Sequence, residues 1–369
     1  MMKLLLLLCS AVVFAADWQM VSVTRIWDEP AHAAFGDLIR WKDRWYCVFR
    51  EAGGHMPRKG APDDGRLRIL SSANGDQWQS EALLQEAGVD LRDPHLSITA
   101  KGQLMVVAGG SYYPEGVYKS RQSRVFFSKN GKTWTAPRKV VEDGHWLWRV
   151  TWHKGVAYGV SKYGSPSAEL AANPRKVRLV KSKDGVQWET VTELQVPGGD
   201  ETAVRFTADG TMVALTRRTW TDGNIAWIGT SKPPYKEWSW KPSGHFIGGP
   251  NVAVLPTGQW VAGGRIFAGG YGKDPHTEIG ELTPDGFTPK LRLPSGGDSS
   301  YPGFVWHDGL LWTLYYSSHE GKTSIYLAKL KVNYFWTAVK RVCAPLTPPT
   351  ENVTGTVSLA GTAGTTTLN

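Results

Sequence analysis

A phenol gives up its proton unaided only near pH 10, so a tyrosine becomes a useful nucleophile when a carboxylate stands beside it to accept that proton. Tyr301 and Glu201 offer such a pair. Arginines gathered in a concave, partly dry site suit a carboxylate, which guanidinium grips in bidentate geometry. Arg217, Arg265, Arg50, Arg92 and Arg149 are the candidates for that role. His32 and His95 lack metal-ligand spacing to partners, and no glycine-rich nucleotide loop appears. The expected chemistry therefore uses side chains alone, with no metal and no cofactor.

Residues this far apart in sequence need elements that bring them together. Each of six units begins with an extended run, a turn and a second run. Phe35–Trp41 is followed by Trp45–Arg50, Pro94–Thr99 by Gln103–Ala108, and Trp148–Trp152 by Val156–Ser161. Thr202–Phe206 precedes Thr211–Arg217, Asn251–Leu255 precedes Gln259–Arg265, and Gly303–Trp306 precedes Leu310–Tyr316. A third strand then leads into a recurring frame: Ser72-Ala73-Asn74-Gly75 with Trp78, Ser128-Lys129-Asn130-Gly131 with Trp134, and Ser182-Lys183-Asp184-Gly185 with Trp188. A worn copy spans Ser231 to Trp238, and Thr283-Pro284-Asp285-Gly286 is a candidate fifth. Asn-Gly and Asp-Gly between alternating segments predict two-residue hairpins with positive φ at both central residues.

A unit recurring at roughly 50 residues, too small to bury its own faces, is the mark of a propeller blade. The predicted fold is all-β: a six-bladed β-propeller of four-stranded antiparallel blades over residues 17–332. Met20–Ile26 has no partner in its own unit and is expected to close the ring against Ser324–Leu330. In this topology the starts of the innermost strands and the ends of the second strands converge on one face, and the serine turns lie on the other. The converging set includes His32, Asp93, Arg149, Glu201 and Tyr301 from strand starts, and Arg50, Lys162, Arg217, Arg265 and Tyr316 from strand ends.

Residues 1–16 have a positive start, an apolar run and small residues at a cleavage point, and read as a secretory signal peptide too short to span a bilayer. The expected location is secreted or periplasmic. Residues 333–369 are rich in Thr, Gly, Ala and Pro and read as a flexible tail. Cys47 and Cys343 are the cysteines beyond the leader, which leaves no disulfide framework, so a large core must supply stability. The 41 glycines and 18 tryptophans suit many turns and buried indoles, and the formal net charge of +9 favours an anionic partner. Without basic runs interleaved with aromatics, an acidic glycan is expected in preference to nucleic acid, and no segment after the leader is apolar for long enough to cross a membrane.

At the converging residues the chain resembles the sialidase (neuraminidase) superfamily, six-bladed exo-glycosidases with Asp-box repeats. Glu201-Thr202-Ala203-Val204, Asp209-Gly210 and Ala214-Leu215-Thr216-Arg217 resemble the blade supplying the glutamate and the second arginine of a carboxylate-binding triad. Ser300-Tyr301-Pro302 with Asp308-Gly309 and Leu314-Tyr315 resembles the blade supplying the nucleophilic tyrosine. The resemblance implies retaining hydrolysis of a terminal acidic sugar such as sialic acid, with Tyr301 as nucleophile, Glu201 as its base and Arg265 as a further carboxylate ligand. It also places the acid/base aspartate at Asp63 or Asp64. At the family's first arginine this chain has Ala34-Phe35-Gly36, with Arg50, Arg92 or Arg25 as substitutes. Two other classes stay open: a non-catalytic carbohydrate-binding propeller, which that departure would suit, and a polysaccharide lyase using Tyr and His on a uronate.

Overall fold

The computed structural model describes residues 8–59, 64–164, 175–219 and 222–342. Its strands form six four-stranded antiparallel sheets arranged as the blades of a propeller. The innermost strands are His32–Trp41, Asp90–Ile98, Trp146–His153, Gly199–Phe206, Gly248–Val254 and Ser300–His307. Each pairs antiparallel with the strand that follows it, and each blade is built outward from there. The strand Leu8–Trp27 forms the outer edge of the sixth blade, beside Ser324–Val342. First and last strands of the ring therefore share one sheet, which pairs an edge that would otherwise stay open.

The propeller occupies Asp17–Asn333. A second unit comprises Met1–Ala16 with Tyr334–Asn369, of which the described residues are the extensions of the first and last strands. The remainder of the expected leader and tail lies outside the described residues. No helix among the described residues is long and apolar enough to cross a membrane.

The core lies between neighbouring blades. Val48, Leu67 and Ile69 of the first blade pack with Leu91, Val106 and Phe126 of the second. Phe35, Leu38 and Cys47 pack with Leu314, Ile325 and Leu327 of the sixth. Trp45 stacks on Trp312 at 4.2 Å across that same seam, which joins the chain's beginning to its end.

The inner strands begin earlier than sequence alternation predicts, and one feature accounts for it. Near its start every inner strand carries one residue more than its partner. Pairing jumps from Ala34–Arg50 to Asp37–Val48 in the first blade, and likewise at Arg92/His95, Leu147/Val150, Gly199/Thr202, Gly248/Asn251 and Ser300/Gly303. Such a β-bulge breaks the two-residue period and re-aims the side chains it holds. The residues inside are Phe35-Gly36, Asp93-Pro94, Trp148-Arg149, Asp200-Glu201, Gly249-Pro250 and Tyr301-Pro302. Phe35, Asp93 and Tyr301 adopt φ of 60°, 49° and 54°, a region that costs a non-glycine residue energy and is held only by its surroundings.

The serine turns correct the two-residue hairpin expectation. Positive φ falls on Gly75, Gly131 and Gly185 and not on the Asn or Asp before them. In each turn the serine Oγ accepts a bond from the glycine N–H at 2.8 Å. The Asn or Asp oxygen accepts the next two N–H groups, and the tryptophan Nε1 donates back to the glycine carbonyl. The acidic or amide residue is thus present for its acceptor oxygen, not for its backbone freedom. Hairpins with two positive-φ residues do occur, at Lys42-Asp43, Lys154-Gly155 and Asp308-Gly309 between first and second strands. The Thr283 to Gly286 stretch is a tight connection closed by pairing of its two ends.

Asp184 Oδ1 holds two backbone N–H groups at 2.8 Å. Replacing it with alanine should lower stability by about 1 kcal/mol. A reduced denaturant midpoint at unchanged slope would register that loss.

Candidate active site

Three successive bulges, in the fourth, fifth and sixth blades, build the centre of the site. Glu201 Oε1 accepts the phenolic proton of Tyr301 at 2.8 Å. Its Oε2 accepts from the Gly249 N–H at 2.9 Å and from Arg217 Nη1 at 3.0 Å. Gly249 is required here on two counts: its φ is +59°, and a Cβ would lie 2.9 Å from the Tyr301 ring. The neighbouring Asp200 takes separate cations, Lys162 at 2.5 Å and Arg175. Lys162 lies 3.9 Å from Glu201 Oε1.

Burial alone would raise the Glu201 pKa, but Arg217 and then Lys162 outweigh it and bring it below the ordinary value. Glu201 is therefore a carboxylate. Tyr301 is pushed well above 10 by burial, and the negative charges of Asp93 and Glu201 add to the rise. A buried phenol among carboxylates stays neutral at rest.

Asp93, at the bulge of the second blade, belongs to the converging set of strand starts, though the sequence gives it no role. It is 3% exposed, and its Oδ1 has no hydrogen-bond partner, with Arg92 Nε 3.8 Å away. Burial raises its pKa to about 6 against the opposing pull of Arg92, with Glu201 adding to the rise. A signal for it does exist. Pro94, Pro250 and Pro302 occupy the same bulge position in three inner strands, and proline inside a central strand is tolerated only where a bulge spares its missing N–H. Asp93, Gly249 and Tyr301 are the residues immediately before them.

A second network joins the sixth blade to the first. Arg265 Nη2 donates to Asp298 Oδ1 at 3.1 Å and to Tyr316 Oη at 3.0 Å, while its Nε bonds the Ser299 carbonyl. Asp298 Oδ2 meets His32 Nε2 at 2.9 Å and His55 Nδ1 at 2.7 Å. Neither Asp298 nor His55 stands out in the sequence. Facing nitrogens and oxygen of His32, His55 and Asp298 lie within 4.8 Å of one another, the one such group among the described residues. The set fits a divalent cation poorly. Arg265 already holds the second oxygen of the carboxylate, Arg92 adds positive charge at His55, and each histidine spends its facing nitrogen on Asp298.

The remaining candidates divide. Arg217 and Arg265 keep one-fifth of their side-chain surface exposed. Arg92 is buried, with its guanidinium 5.1 Å from the Phe35 ring and 3.8 Å from Asp93. Arg50 and Arg149, expected among the substrate ligands, are instead committed to structure. Arg50 is fully buried on Asp90 at 2.8 Å and on the Gly54 carbonyl. Arg149 bonds Asp37 at 3.0 Å and the Pro302 carbonyl. Arg25 pairs with Asp28 and Glu320 at the surface. Asp64 is half-buried beside Gly65, and no hydrogen bond or ion pair among the described residues joins it to Glu201 or Tyr301. Asp63 lies outside the described residues. His95 is buried against Trp148 and held well below its ordinary pKa by burial and by Arg149. Phe35 lies in the Ala34-Phe35-Gly36 stretch, which has no arginine where the resemblance expects one; its ring lies 5.2 Å from Tyr301, 5.3 Å from Tyr316 and 5.0 Å from His55.

Solved structures share this architecture. A protein of unknown function from Dyadobacter fermentans aligns with 86% of this chain and 99% of its own, at 18% identity and a TM-score of 0.73. Trypanosoma rangeli sialidase aligns with 87% of this chain at 11% identity and a TM-score of 0.63, over 59% of its own longer chain. Penicillium chrysogenum alpha-L-arabinanase, solved with arabinobiose, aligns with 84% of this chain and 98% of its own, at 14% identity and a TM-score of 0.63. No protein-family model and no curated protein matches the sequence. The likeness is one of fold.

Asp93 ties stability to pH. Its carboxyl holds a proton up to about pH 6 in the fold, against 3.8 ordinarily. The folded state then binds more protons than the unfolded one between those values, so stability falls as pH rises through that window. Asp93→Asn removes the buried charge. Its melting temperature should gain on the wild type as pH rises from 4 to 7, by an amount equivalent to at most about 3 kcal/mol. A constant difference across that range would contradict the assignment.

Proposed function

We propose that this protein is an exo-acting glycoside hydrolase that removes a terminal, carboxylate-bearing sugar such as sialic acid with retention of configuration. The observation that carries the reading is the 2.8 Å bond from Tyr301 Oη to Glu201, whose other oxygen is held by Arg217. Tyrosine in place of the second carboxylate is the sialidase departure from the usual glycosidase pair. A neutral phenol approaches an anomeric centre bearing a carboxylate without the repulsion an anion would meet.

In the first step the Tyr301 oxygen bonds the anomeric carbon, its proton passes to Glu201 Oε1, and the glycosidic bond breaks as its oxygen takes a proton from an acid. Because Tyr301 is raised and Glu201 lowered in pKa, that proton moves only as the new bond forms. In the second step water gives a proton to the conjugate base of that acid as its oxygen bonds the same carbon, the bond to Tyr301 breaks, and the phenol recovers its proton from Glu201. Arg217 and Arg265 are the proposed ligands of the sugar carboxylate, and the unpartnered oxygen of Asp93 suits a ring hydroxyl. A leader over residues 1–16 would deliver the enzyme outside the cytoplasm, where such glycans are displayed.

Phe35 favours a second reading. With an apolar ring against Tyr301 and no arginine in the Ala34–Gly36 stretch, a smaller acidic sugar or a neutral furanoside is the alternative substrate. Fluorogenic sialosides, uronides and arabinofuranosides assayed side by side distinguish these. Release from the sialoside or uronide is expected, and Tyr301→Phe should reduce kcat by about 10³-fold or more with little change in fold. Release from the arabinofuranoside alone would move the assignment to a neutral sugar. Full activity in Tyr301→Phe would overturn the mechanism.

A further inference from the structure

The proposed hydrolysis needs an acid for the leaving oxygen, and the bonded pair at the centre of the site is already assigned, Tyr301 to the anomeric carbon and Glu201 to the Tyr301 proton. Glu201, Tyr301 and Asp93 are 3%, 7% and 3% exposed. The remainder of the glycan must leave an exo-acting site toward solvent, so the acid has to stand at the rim. His55 stands there. It lies in the connection between the second and third strands of the first blade, with 44% of its side chain exposed. Its ring meets Phe35 edge-on at 5.0 Å, and Phe35 in turn meets Tyr301 at 5.2 Å.

We propose that His55, oriented by Asp298, is the general acid and base of this site. The claim rests on the glycosidase reading above and replaces Asp64 in the role the resemblance gave it. Asp298 Oδ2 lies 2.7 Å from His55 Nδ1. A carboxylate there fixes the tautomer with its proton on Nδ1, leaves Nε2 for chemistry, and stabilises the imidazolium when it forms. Asp298 can remain anionic throughout. Burial opposes its charge, but bonds from His32 and His55 and the nearby Arg265 hold its carboxyl well below the usual range. In the first step Nε2–H passes its proton to the departing oxygen as Tyr301 bonds the anomeric carbon. In the second, Nε2 takes a proton from water as the oxygen of that water displaces Tyr301.

The charged groups facing His55 set its working range. Burial lowers its pKa, Asp298 raises it, and Arg92 and His32 lower it again. The net direction is downward, so the protonated acid is available on the acid side of neutrality. The rate should fall as pH rises past the His55 pKa.

Graded leaving groups test this directly. Wild type, His55→Ala, His55→Gln and Asp298→Asn would be compared on glycosides running from an alkyl to a dinitrophenyl leaving group, with and without azide. A lost proton donor costs about 10²- to 10⁴-fold where the leaving group is poor. His55→Ala should show that loss on the alkyl glycoside and a far smaller one on the dinitrophenyl glycoside. The basic limb of its kcat/KM profile should vanish, and azide should restore turnover by forming the glycosyl azide. Asp298→Asn should move that limb to lower pH. Equal losses on every leaving group, or none, would overturn the role of His55 while leaving the hydrolase standing. Activity abolished by EDTA and restored by zinc would overturn it in favour of a metal held by His32, His55 and Asp298. A wild type inactive on every glycoside would sink the proposed function, and this inference with it.

Discussion

One extra residue per inner strand, inserted at the same level in all six blades, is the constraint from which the site follows. A regular strand would alternate its side chains between the two faces of its blade. The insertion interrupts that alternation close to the ring mouth and turns Asp93, Glu201 and Tyr301 toward a common centre. Positive φ at Phe35, Asp93 and Tyr301 shows what holding this geometry costs. The surrounding seams between blades, close-packed from Trp45 and Trp312 around the ring, supply the rigidity that keeps it.

Within that frame the charges are partitioned by distance. Asp200 and Glu201 are adjacent in sequence and both buried, an arrangement that costs a great deal unless each has its own cations. Lys162 and Arg175 go to Asp200, while Arg217 and the Gly249 N–H go to Glu201. With Oε2 held by Arg217 and the Gly249 N–H, Glu201 presents Oε1 to the Tyr301 hydroxyl, with Lys162 3.9 Å from it. Asp93 stands close enough to sense Glu201 but is neutralised less completely, which is why its pKa rises to about 6 while that of Glu201 falls.

The side of the mouth formed by the first and sixth blades is organised differently. Phe35 presents an aromatic surface there, and four polar groups gather on Asp298: Arg265, Tyr316, His32 and His55. Glu201 binds the Tyr301 phenol on one side of the mouth, and Asp298 binds a histidine on the other. Apolar Phe35 packs between Tyr301 and His55, while the Tyr316 ring, 5.8 Å from that of Tyr301, brings the two networks into contact. This arrangement suits a reaction that moves one proton at the nucleophile and another at the leaving oxygen.

Repetition in the sequence determined the six-bladed architecture. The serine frames at Ser72, Ser128 and Ser182, the paired extended runs and the unpaired Met20–Ile26 require neighbours and a closed ring, and local chemistry alone carries that information. It also placed Glu201, Tyr301, Arg217 and Arg265 at converging strand ends. The turn type is not legible there, because an Asn or Asp before glycine serves equally as a positive-φ residue or as a side-chain acceptor, and composition does not separate the two. Tertiary structure alone decided which arginines are spent. Arg50 and Arg217 each close a second strand, yet Arg50 meets a buried Asp90 from the next blade while Arg217 meets Glu201 at the mouth. It alone also joined His55 to Asp298, 243 residues apart in the chain. Strand pattern fixes which face a residue belongs to, but the partner of a charge is set by what the ring brings opposite it, and that depends on distances no linear pattern encodes.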